Sequence, residues 1–197
     1  MRAAYERLFT FMCAPHILVR VTARTTNLLG ALALGLADAV DAVARDQARE
    51  GGPAGAALCV VAHEPGLSIE QLRRALGLSH PGAVRLIDRL AAEGSVERRA
   101  TRDKRAVALH LTASGARRVR TILGERRRAL AAALTPLSPR ERGVLDRLLA
   151  KMLRALPRSD AHALAICRFC EGDACNPCPV GEALEEKARQ TPGYTLR

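Results

Sequence analysis

The amino-acid sequence predicts a mainly α-helical protein with one small β-hairpin. Apolar residues recur every three or four positions over most of the chain, and this period changes to two only between residues 95 and 111. Two of the predicted helices are separated by Gly77 and Leu78 alone, which is the spacing of a helix-turn-helix. The 197 residues suffice for one domain with its own core, followed by a small appendix.

The charge of the chain indicates a polyanionic partner. There are 31 Lys and Arg residues against 20 Asp and Glu, a net charge of +11. The excess lies in the middle of the chain, because residues 68–120 carry twelve basic and five acidic side chains and residues 121–157 carry eight and three. Such a block favours nucleic acid first and an anionic membrane second. The alternative is a solvated arginine-rich face.

The composition argues against several classes of protein. Aromatic residues make up 3%, and none lies between Phe11 and Phe169, which disfavours RNA readers that stack bases on aromatic side chains. The chain has no GxSxG, P-loop or GxGxxG motif, so we expect no enzyme. We expect no apolar run near the ~20 residues of a membrane span, and no signal peptide, because Arg7 and Arg20 bracket a short, broken apolar stretch. The protein is therefore expected to be cytoplasmic, with reduced thiols.

The first helices follow an N-terminal extension, residues 1–27, that shows no clear period. A helix is predicted from Leu28 to about residue 49, and the sequence Gly-Gly-Pro at 51–53 ends it. A second, mostly apolar helix is predicted over residues 54–63, before a Pro-Gly turn.

The helix-turn-helix is predicted over residues 68–94. Ser68 and Gln71 form a capping box at the start of its first helix, which stops at Gly77. Ser79 caps the second helix, which ends at Gly94. The face opposite its apolar residues carries Arg85, Asp88 and Arg89, with His80 at the leading end.

A β-hairpin is predicted over residues 95–111, with strands at 95–100 and 107–111 and a polar turn between them. Its basic residues are Arg98, Arg99, Arg102, Lys104 and Arg105. Thr112 is then predicted to cap a long helix that ends near Leu134. Ser138 and Glu141 form a capping box for a further helix, which Pro157 closes.

These elements and their order resemble the MarR family of winged-helix regulators over about residues 28–156. The likeness is carried by residues 67–72, 76–79, 84–90, 94–99, 103–107 and 112–115. It implies a winged helix-turn-helix domain with dimerisation helices, and a homodimer whose interface is formed by residues 28–49 and 113–156. It also implies that the two winged helices enter successive major grooves of a pseudo-palindromic operator in double-stranded DNA.

The resemblance also implies which residues contact DNA. Asp103 and Arg105 fall on the family's wing motif, in which the arginine enters the minor groove and the aspartate orients it. Arg85 and Arg89 suit the major groove, where arginine pairs with guanine. The remaining basic side chains would contact phosphates. The full predicted set is Ser79, His80, Arg85, Arg89, Arg98, Arg99, Arg102, Asp103, Lys104 and Arg105.

We define residues 157–197 as the four-cysteine segment. Four of the six cysteines lie in it, within a stretch of twelve residues. Cys167, Cys170, Cys175 and Cys178 have the spacing C-x2-C-x4-C-x2-C. In a cytosolic chain this spacing indicates a metal or redox site. One tetrahedral zinc ion is favoured over an iron–sulfur cluster, and both over a metal-free dithiol switch. Because residues 158–197 carry a net charge of −1 and follow the outer helices, the centre is expected to brace the dimer-side lobe and not the DNA-contacting face.

The other two cysteines, Cys13 and Cys59, stand alone in the sequence. We expect each to behave as an inert small hydrophobic residue.

The sequence therefore predicts a sequence-specific DNA-binding transcription regulator, and specifically a repressor. We expect it to respond to a small ligand, or to metal or redox state through the cysteine cluster. The second hypothesis is a non-enzymatic RNA- or nucleoid-binding module. The third is a dithiol redox enzyme, which is disfavoured because no βαβ pattern surrounds a Cys-x-x-Cys pair.

Overall fold

A computed structural model describes residues 23–47, 53–100 and 107–190. The chain divides into two compact units, one up to Ala37 and one from Asp38 onward. The described residues are mostly helical and contain a two-stranded antiparallel sheet. The predicted fold class, mainly helical with one β-hairpin, is confirmed.

Helix α1 spans Ala23–Gln47, so it begins five residues before the predicted start at Leu28. Its leucines at 28, 29, 32 and 34 are exposed. The expectation that no stretch reaches the length of a membrane span is wrong for this helix, because the 21 residues Ala23–Val43 are long and apolar enough. The sequence interpretation missed it because glycines and threonines interrupt the leucines. The core helix of a soluble protein and an N-terminal signal sequence pass the same test, so one such helix is weak evidence for a membrane span.

Helix α2, Ala54–His63, matches the predicted bounds and lies in the centre of the core. Its residues from Ala54 to Val61 are all buried. The largest side chains that are fully buried around it come from α2, the helix-turn-helix, the hairpin and the long helix that follows: Leu58, Leu72, Ile87, Leu90, Leu109 and Ile122. Burial of these side chains in one cluster explains why the elements hold together as one unit.

The helix-turn-helix consists of α3, Ile69–Leu76, and α4, His80–Ala92. The predicted capping box is present, because the Ser68 hydroxyl accepts from the Gln71 amide and the Gln71 side chain accepts from the Ser68 amide. Gly77 ends α3 with a φ of 64°, a left-handed conformation that favours glycine. The short turn between the two helices therefore follows from local chemistry.

The hairpin consists of β1, Val96–Ala100, and β2, Val107–Leu111, in antiparallel register with Val96 opposite Leu111. β2 also bonds to the turn before α3. The Gly66 amide donates to the Leu109 carbonyl at 2.8 Å, and the Leu109 amide donates to the Leu67 carbonyl at 3.0 Å. The hairpin is thereby attached to the helix-turn-helix along its second edge.

Two long helices follow the hairpin. Helix α5 spans Ala113–Leu134 and is capped by Thr112, as predicted. Helix α6 spans Pro139–Ala155, and its predicted capping box between Ser138 and Glu141 is present. None of the α6 side chains is fully buried, and its large apolar residues Val144, Leu148, Leu149 and Met152 are exposed.

The four-cysteine segment contains helices that were not predicted. Helix α7 spans Asp160–Ile166, a single 3-10 turn covers Gly172–Ala174, and helix α8 spans Pro179–Gln190. Phe169, Val180 and Ala183 are buried. The segment is therefore folded onto the domain over its described residues.

Candidate DNA interface and four-cysteine segment

The leading end of α4 is a regular capped helix start. The Ser79 hydroxyl accepts from the Gly82 amide at 3.2 Å, and Pro81 occupies the first turn, where a missing amide leaves no hydrogen bond unmade. A Cβ at Gly82 would lie 3.0 Å from the Ser79 oxygen, so a small residue suits this position. The first turn, which would approach base edges in a major groove, therefore keeps helical geometry.

The outer face of α4 carries the predicted base-reading residues. His80, Arg85 and Asp88 are exposed, and Arg89 is half-buried. The inner face buries Ala83, Leu86, Ile87 and Leu90. α4 thus presents arginines on the side opposite the core, as the sequence predicted.

An ion pair links α4 to the hairpin. Arg98 of β1 donates to the Asp88 carboxylate at 2.6 Å. Arg99 is instead held by Glu97 on its own strand, at 2.9 Å from its Nε. Asp88 therefore connects the wing strand to α4 through a partly exposed ion pair. The predicted wing-tip residues Arg102, Asp103, Lys104 and Arg105 lie outside the described residues.

An acidic residue of α3 pairs with two arginines of the basic block. Glu70 accepts from Arg73 at 2.7 Å and from Arg74 at 2.8 Å. Hydrogen bonds from Arg73 and then Arg74 lower the pKa of Glu70 to about 2. Arg73 also donates to the Leu78 carbonyl in the turn at 3.2 Å. This ion-pair cluster was not predicted, although oppositely charged residues at spacings i, i+3 and i, i+4 are expected to pair on a helix.

The junction between α4, β1 and α5 is tightly packed. Arg118 donates to the Glu93 carboxylate and to the Ser95 hydroxyl, both at 2.6 Å. The Thr112 hydroxyl donates to the Gly94 carbonyl at 2.6 Å. A Cβ at Gly115 would lie 2.0 Å from the Ser95 carbonyl oxygen, a distance that no side chain can adopt. The long helix α5 is therefore joined rigidly to the end of α4.

Backbone turns bring the four clustered cysteines together. Cys167 ends α7, and the Cys170 amide donates to its carbonyl at 2.7 Å. The Cys175 amide donates to the Gly172 carbonyl at 3.1 Å. Cys178 precedes α8 and accepts a hydrogen bond from the Gly181 amide at its sulfur, at 3.3 Å.

The four thiols form two pairs. A hydrogen bond from the Cys167 thiol lowers the pKa of Cys170 to about 6, and electrostatic interactions with His63 and Arg126 act in the same direction. The same hydrogen bond, with burial, raises the pKa of Cys167. Burial raises the pKa of Cys175, with a further contribution from Cys178, to which it is hydrogen-bonded.

The thiols do not stand as a preformed metal cage. Within residues 23–47, 53–100 and 107–190, no group of three or more His, Cys, Asp or Glu side chains is arranged to hold a metal ion. All four clustered cysteines are half-buried and free of disulfides. Metal ligation by these residues would require the two pairs to close on each other.

The isolated Cys59 contrasts with the cluster. It lies in the core of α2 with 3% of its surface exposed. Burial raises its pKa to about 12. The prediction that Cys59 is an inert small hydrophobic residue is confirmed, whereas Cys13 lies outside the described residues.

The four-cysteine segment contacts both the long helices and the helix-turn-helix. Arg127 of α5 pairs with Glu171 at 2.7 Å, and Arg154 of α6 pairs with Glu182. The segment therefore contacts both long helices that were predicted to form the dimer-side lobe, whereas the bracing by a metal centre stays a prediction. In addition, α7 packs against α3 of the helix-turn-helix, which was not predicted. The sequence could not show this contact, because it depends on how residues 90 positions apart meet in the fold.

Two cavities lie along the contact between α3 and α7. The first has a volume of about 720 Å³, and its lining includes Arg74 and Leu76 of α3 and His162 of α7. The second, of about 500 Å³, has a lining that includes Cys167, Cys178, His63, Leu67 and Gln71. The cysteine cluster therefore adjoins the start of the helix-turn-helix.

Comparisons with known proteins agree with this architecture. Residues 52–106 match the model of the MarR family. No curated protein matches the chain in sequence.

Solved structures match most of the fold. A MarR family protein from Bacillus stearothermophilus is 27% identical, with a TM-score of 0.57 over 67% of this chain and 95% of that one. Wild-type MarR from E. coli, in its apo form, is 24% identical, with a TM-score of 0.53 over 64% of this chain and 96% of that one. The Mycobacterium tuberculosis MarR family protein RV2887, in complex with salicylic acid, is 23% identical, with a TM-score of 0.52 over 69% and 99%. The chain therefore carries a MarR family match over residues 52–106 and has the winged-helix fold of MarR-family regulators.

Proposed function

We propose that the protein is a sequence-specific DNA-binding transcription regulator that acts as a homodimer in the cytoplasm. The observation that carries this proposal is the outer face of α4, on which a regular, capped helix exposes Arg85 beside Arg89. An α-helix fits the major groove of B-DNA, and arginine reads guanine there through two hydrogen bonds. The match of residues 52–106 to a family of regulators supports the same proposal.

The hairpin supports the role of a wing. β1 carries Arg98 and Arg99, and the strand is anchored to α4 through Asp88. The basic sequence from Arg102 to Arg105 continues from the end of this strand. In this proposal Arg105 enters the minor groove beside Asp103, and the other basic residues of the wing bind phosphates.

The homodimer is supported by apolar surface on α6. Val144, Leu148 and Met152 are 43%, 52% and 44% exposed and recur every four residues. A stripe of this kind on a monomer would leave apolar surface in water, which a second copy would bury. Residues 23–37 of α1 present further exposed leucines.

We further propose that the protein is a repressor, and that its DNA binding responds to a small ligand or to metal or redox state. The cavity of about 720 Å³ between α3 and α7 has the size of a small-molecule site. It touches α3, the first helix of the reading motif, so a bound ligand could shift that helix. The cysteine cluster lies at the other end of the same helix contact.

The test is selection of bound sequences from random duplex DNA, followed by affinity measurement at fixed salt. We expect one enriched pseudo-palindrome that binds at least about 10³-fold more tightly than a scrambled duplex. Equal affinity for all duplexes would instead identify a nucleoid-type module, and preference for RNA would identify an RNA-binding one.

A further inference from the structure

The two Cys-x-x-Cys pairs lie at helix ends in the four-cysteine segment. Cys167 ends α7 and is joined to Cys170 by a turn in which the Cys170 amide donates to the Cys167 carbonyl at 2.7 Å. Cys175 follows the 3-10 turn, and Cys178 directly precedes α8. All four residues are half-buried and free of disulfides. As they stand the thiols are not arranged around a metal position, so ligation requires the two pairs to close on each other.

We propose that Cys167, Cys170, Cys175 and Cys178 bind one Zn²⁺ ion per chain, and that the loaded centre holds α7 against α3 of the helix-turn-helix. The first half of the proposal stands by itself. The second half rests on the proposed function, because it concerns how the same α3–α4 motif is held for DNA binding.

The four cysteines can supply all the ligands that a zinc ion needs. Four sulfurs with the spacing C-x2-C-x4-C-x2-C are the donor set of closed structural zinc sites. A backbone amide, that of Gly181, already donates to the Cys178 sulfur, a bond that favours the thiolate. Binding of Zn²⁺ by the four cysteines would release the thiol protons to solvent and form four metal–sulfur bonds.

The segment also has few other means of holding its shape. Between Ile166 and Pro179 the chain forms only one 3-10 turn. The buried apolar residues along the described part of the segment are Pro157, Ala163, Phe169, Pro179, Val180 and Ala183. A small unit of this size commonly needs a metal or a disulfide to supplement its core.

The four-cysteine segment contacts both the helix-turn-helix and the two long helices, which would couple the metal centre to α3. The second cavity is lined by Cys167 and Cys178, by Leu67 and Gln71 at the start of the helix-turn-helix, and by Ala163 and Leu164 of α7. Helix α7 also packs against α3. Ion pairs hold Glu171 to α5 and Glu182 to α6. A rigid centre would therefore connect the long helices to α3 within one chain.

Metal analysis of the full-length protein tests the first half. We expect about one zinc per chain, and thiolate-to-metal absorption when Co²⁺ replaces zinc. Cys170→Ser and Cys175→Ser should each lose most of the metal. Cys59→Ala removes a thiol outside the cluster and should keep it.

Two results would overturn the zinc site. Purified protein that is brown and contains acid-labile sulfide would replace zinc by an iron–sulfur cluster on the same thiols. The other result is protein purified without oxygen that contains neither zinc nor iron and whose four cluster thiols titrate freely. This result would reject metal binding altogether.

The coupling is tested by comparing zinc-loaded and chelator-treated protein. The loaded form should bind the selected operator about 5- to 150-fold more tightly, the usual range for coupled sites. The Cys170→Ser variant should show no response to zinc. Equal operator affinity of the two wild-type forms would overturn the coupling.

A DNA-independent measurement keeps the two proposals separable. Amide hydrogen exchange of residues 69–76 should slow by about fivefold or more on zinc loading, because α7 would be held against α3. If no operator exists but this slowing is found, the proposed function fails and the coupling stands. Unchanged exchange in zinc-loaded protein would contradict the coupling whatever the protein binds.

Discussion

At the level of single residues, ion pairs determine which basic side chains remain available to bind a ligand. Glu70 holds both Arg73 and Arg74, and Asp88 holds Arg98. Among the described residues Arg85 makes no ion pair, so its guanidinium is available to a ligand. Counting charges along the sequence gives the net value of the block but not this distribution.

Replacing Arg85 by alanine should weaken binding to the selected operator by about 1–3 kcal/mol, because a bidentate contact with guanine would be lost. Fluorescence anisotropy with operator and scrambled duplexes measures the effect. Binding to scrambled DNA should change much less. Arg189→Ala on α8 removes the same charge outside the helix-turn-helix and serves as the control. Operator affinity that is the same for both variants and the wild type would remove α4 from the reading role.

The lowered pKa of Glu70 predicts that the stability of the protein depends on pH. Its pKa falls from the ordinary value of 4.5 to about 2 through hydrogen bonds from Arg73 and Arg74. A lowered folded-state pKa stabilises the protein above pH 4.5, and this contribution is lost as the pH falls from 4.5 to 2. The wild type should therefore exceed Glu70→Gln in free energy of unfolding at pH 6, and the difference should shrink toward pH 2.5. Denaturant titrations at several pH values would show it, and a difference that does not depend on pH would contradict the assignment.

At the scale of elements, local chemistry made most of the winged helix predictable. The caps at Ser68, Ser79, Thr112 and Ser138 act within three residues, so their positions could be read directly from the sequence. The exposed face of α4 followed from helical period. Contacts between distant residues could not be predicted in this way, including the pairing of Leu67 with Leu109 and of Asp88 with Arg98.

The helices of the four-cysteine segment were missed for a related reason. α7 has seven residues, which is too short for an apolar period to be recognised. Its buried residue Ala163 is small, and Phe169 lies beyond its end. Packing against α3 and the ion pairs to α5 and α6, more than intrinsic helix preference, define this part of the fold.

Gly115→Ala should test the junction between α5 and the hairpin. The new methyl group would meet the Ser95 carbonyl oxygen at 2.0 Å, so backbone must shift, and we expect a loss of about 1–3 kcal/mol in stability. Gly124→Ala on the same helix meets nothing within 4 Å and should stabilise by up to about 1 kcal/mol. Thermal or denaturant unfolding compares the two. Equal stability of both variants would show that the junction is looser than described.

At the level of the whole molecule, the basic block and the exposed apolar surface overlap on α6. The basic block from residue 68 to residue 157 includes the helix-turn-helix, the hairpin, α5 and α6. The exposed apolar residues lie mainly on α1 and α6. In the proposed dimer, the helix-turn-helix and the hairpin would face phosphates, and the apolar stripe of α6 would face a second chain.

The dimer is tested by placing charge in the apolar stripe of α6. The double variant Leu148→Glu, Met152→Glu should be monomeric at micromolar concentration, because two buried carboxylates would oppose association. Sedimentation equilibrium reports the mass. Arg147→Glu introduces one carboxylate outside the stripe and should remain dimeric. A wild-type protein that sediments as a monomer would contradict the proposed assembly.

Methylation protection of the selected operator by the full-length protein shows whether α4 reads base edges, because it reports contact with guanine N7 in the major groove. We expect two protected half-sites whose centres lie about one helical turn, roughly 10 base pairs, apart. Within each half-site, protection of at least one guanine should disappear in Arg85→Ala. A bound complex that leaves every guanine N7 as reactive as in free DNA would contradict major-groove reading by α4.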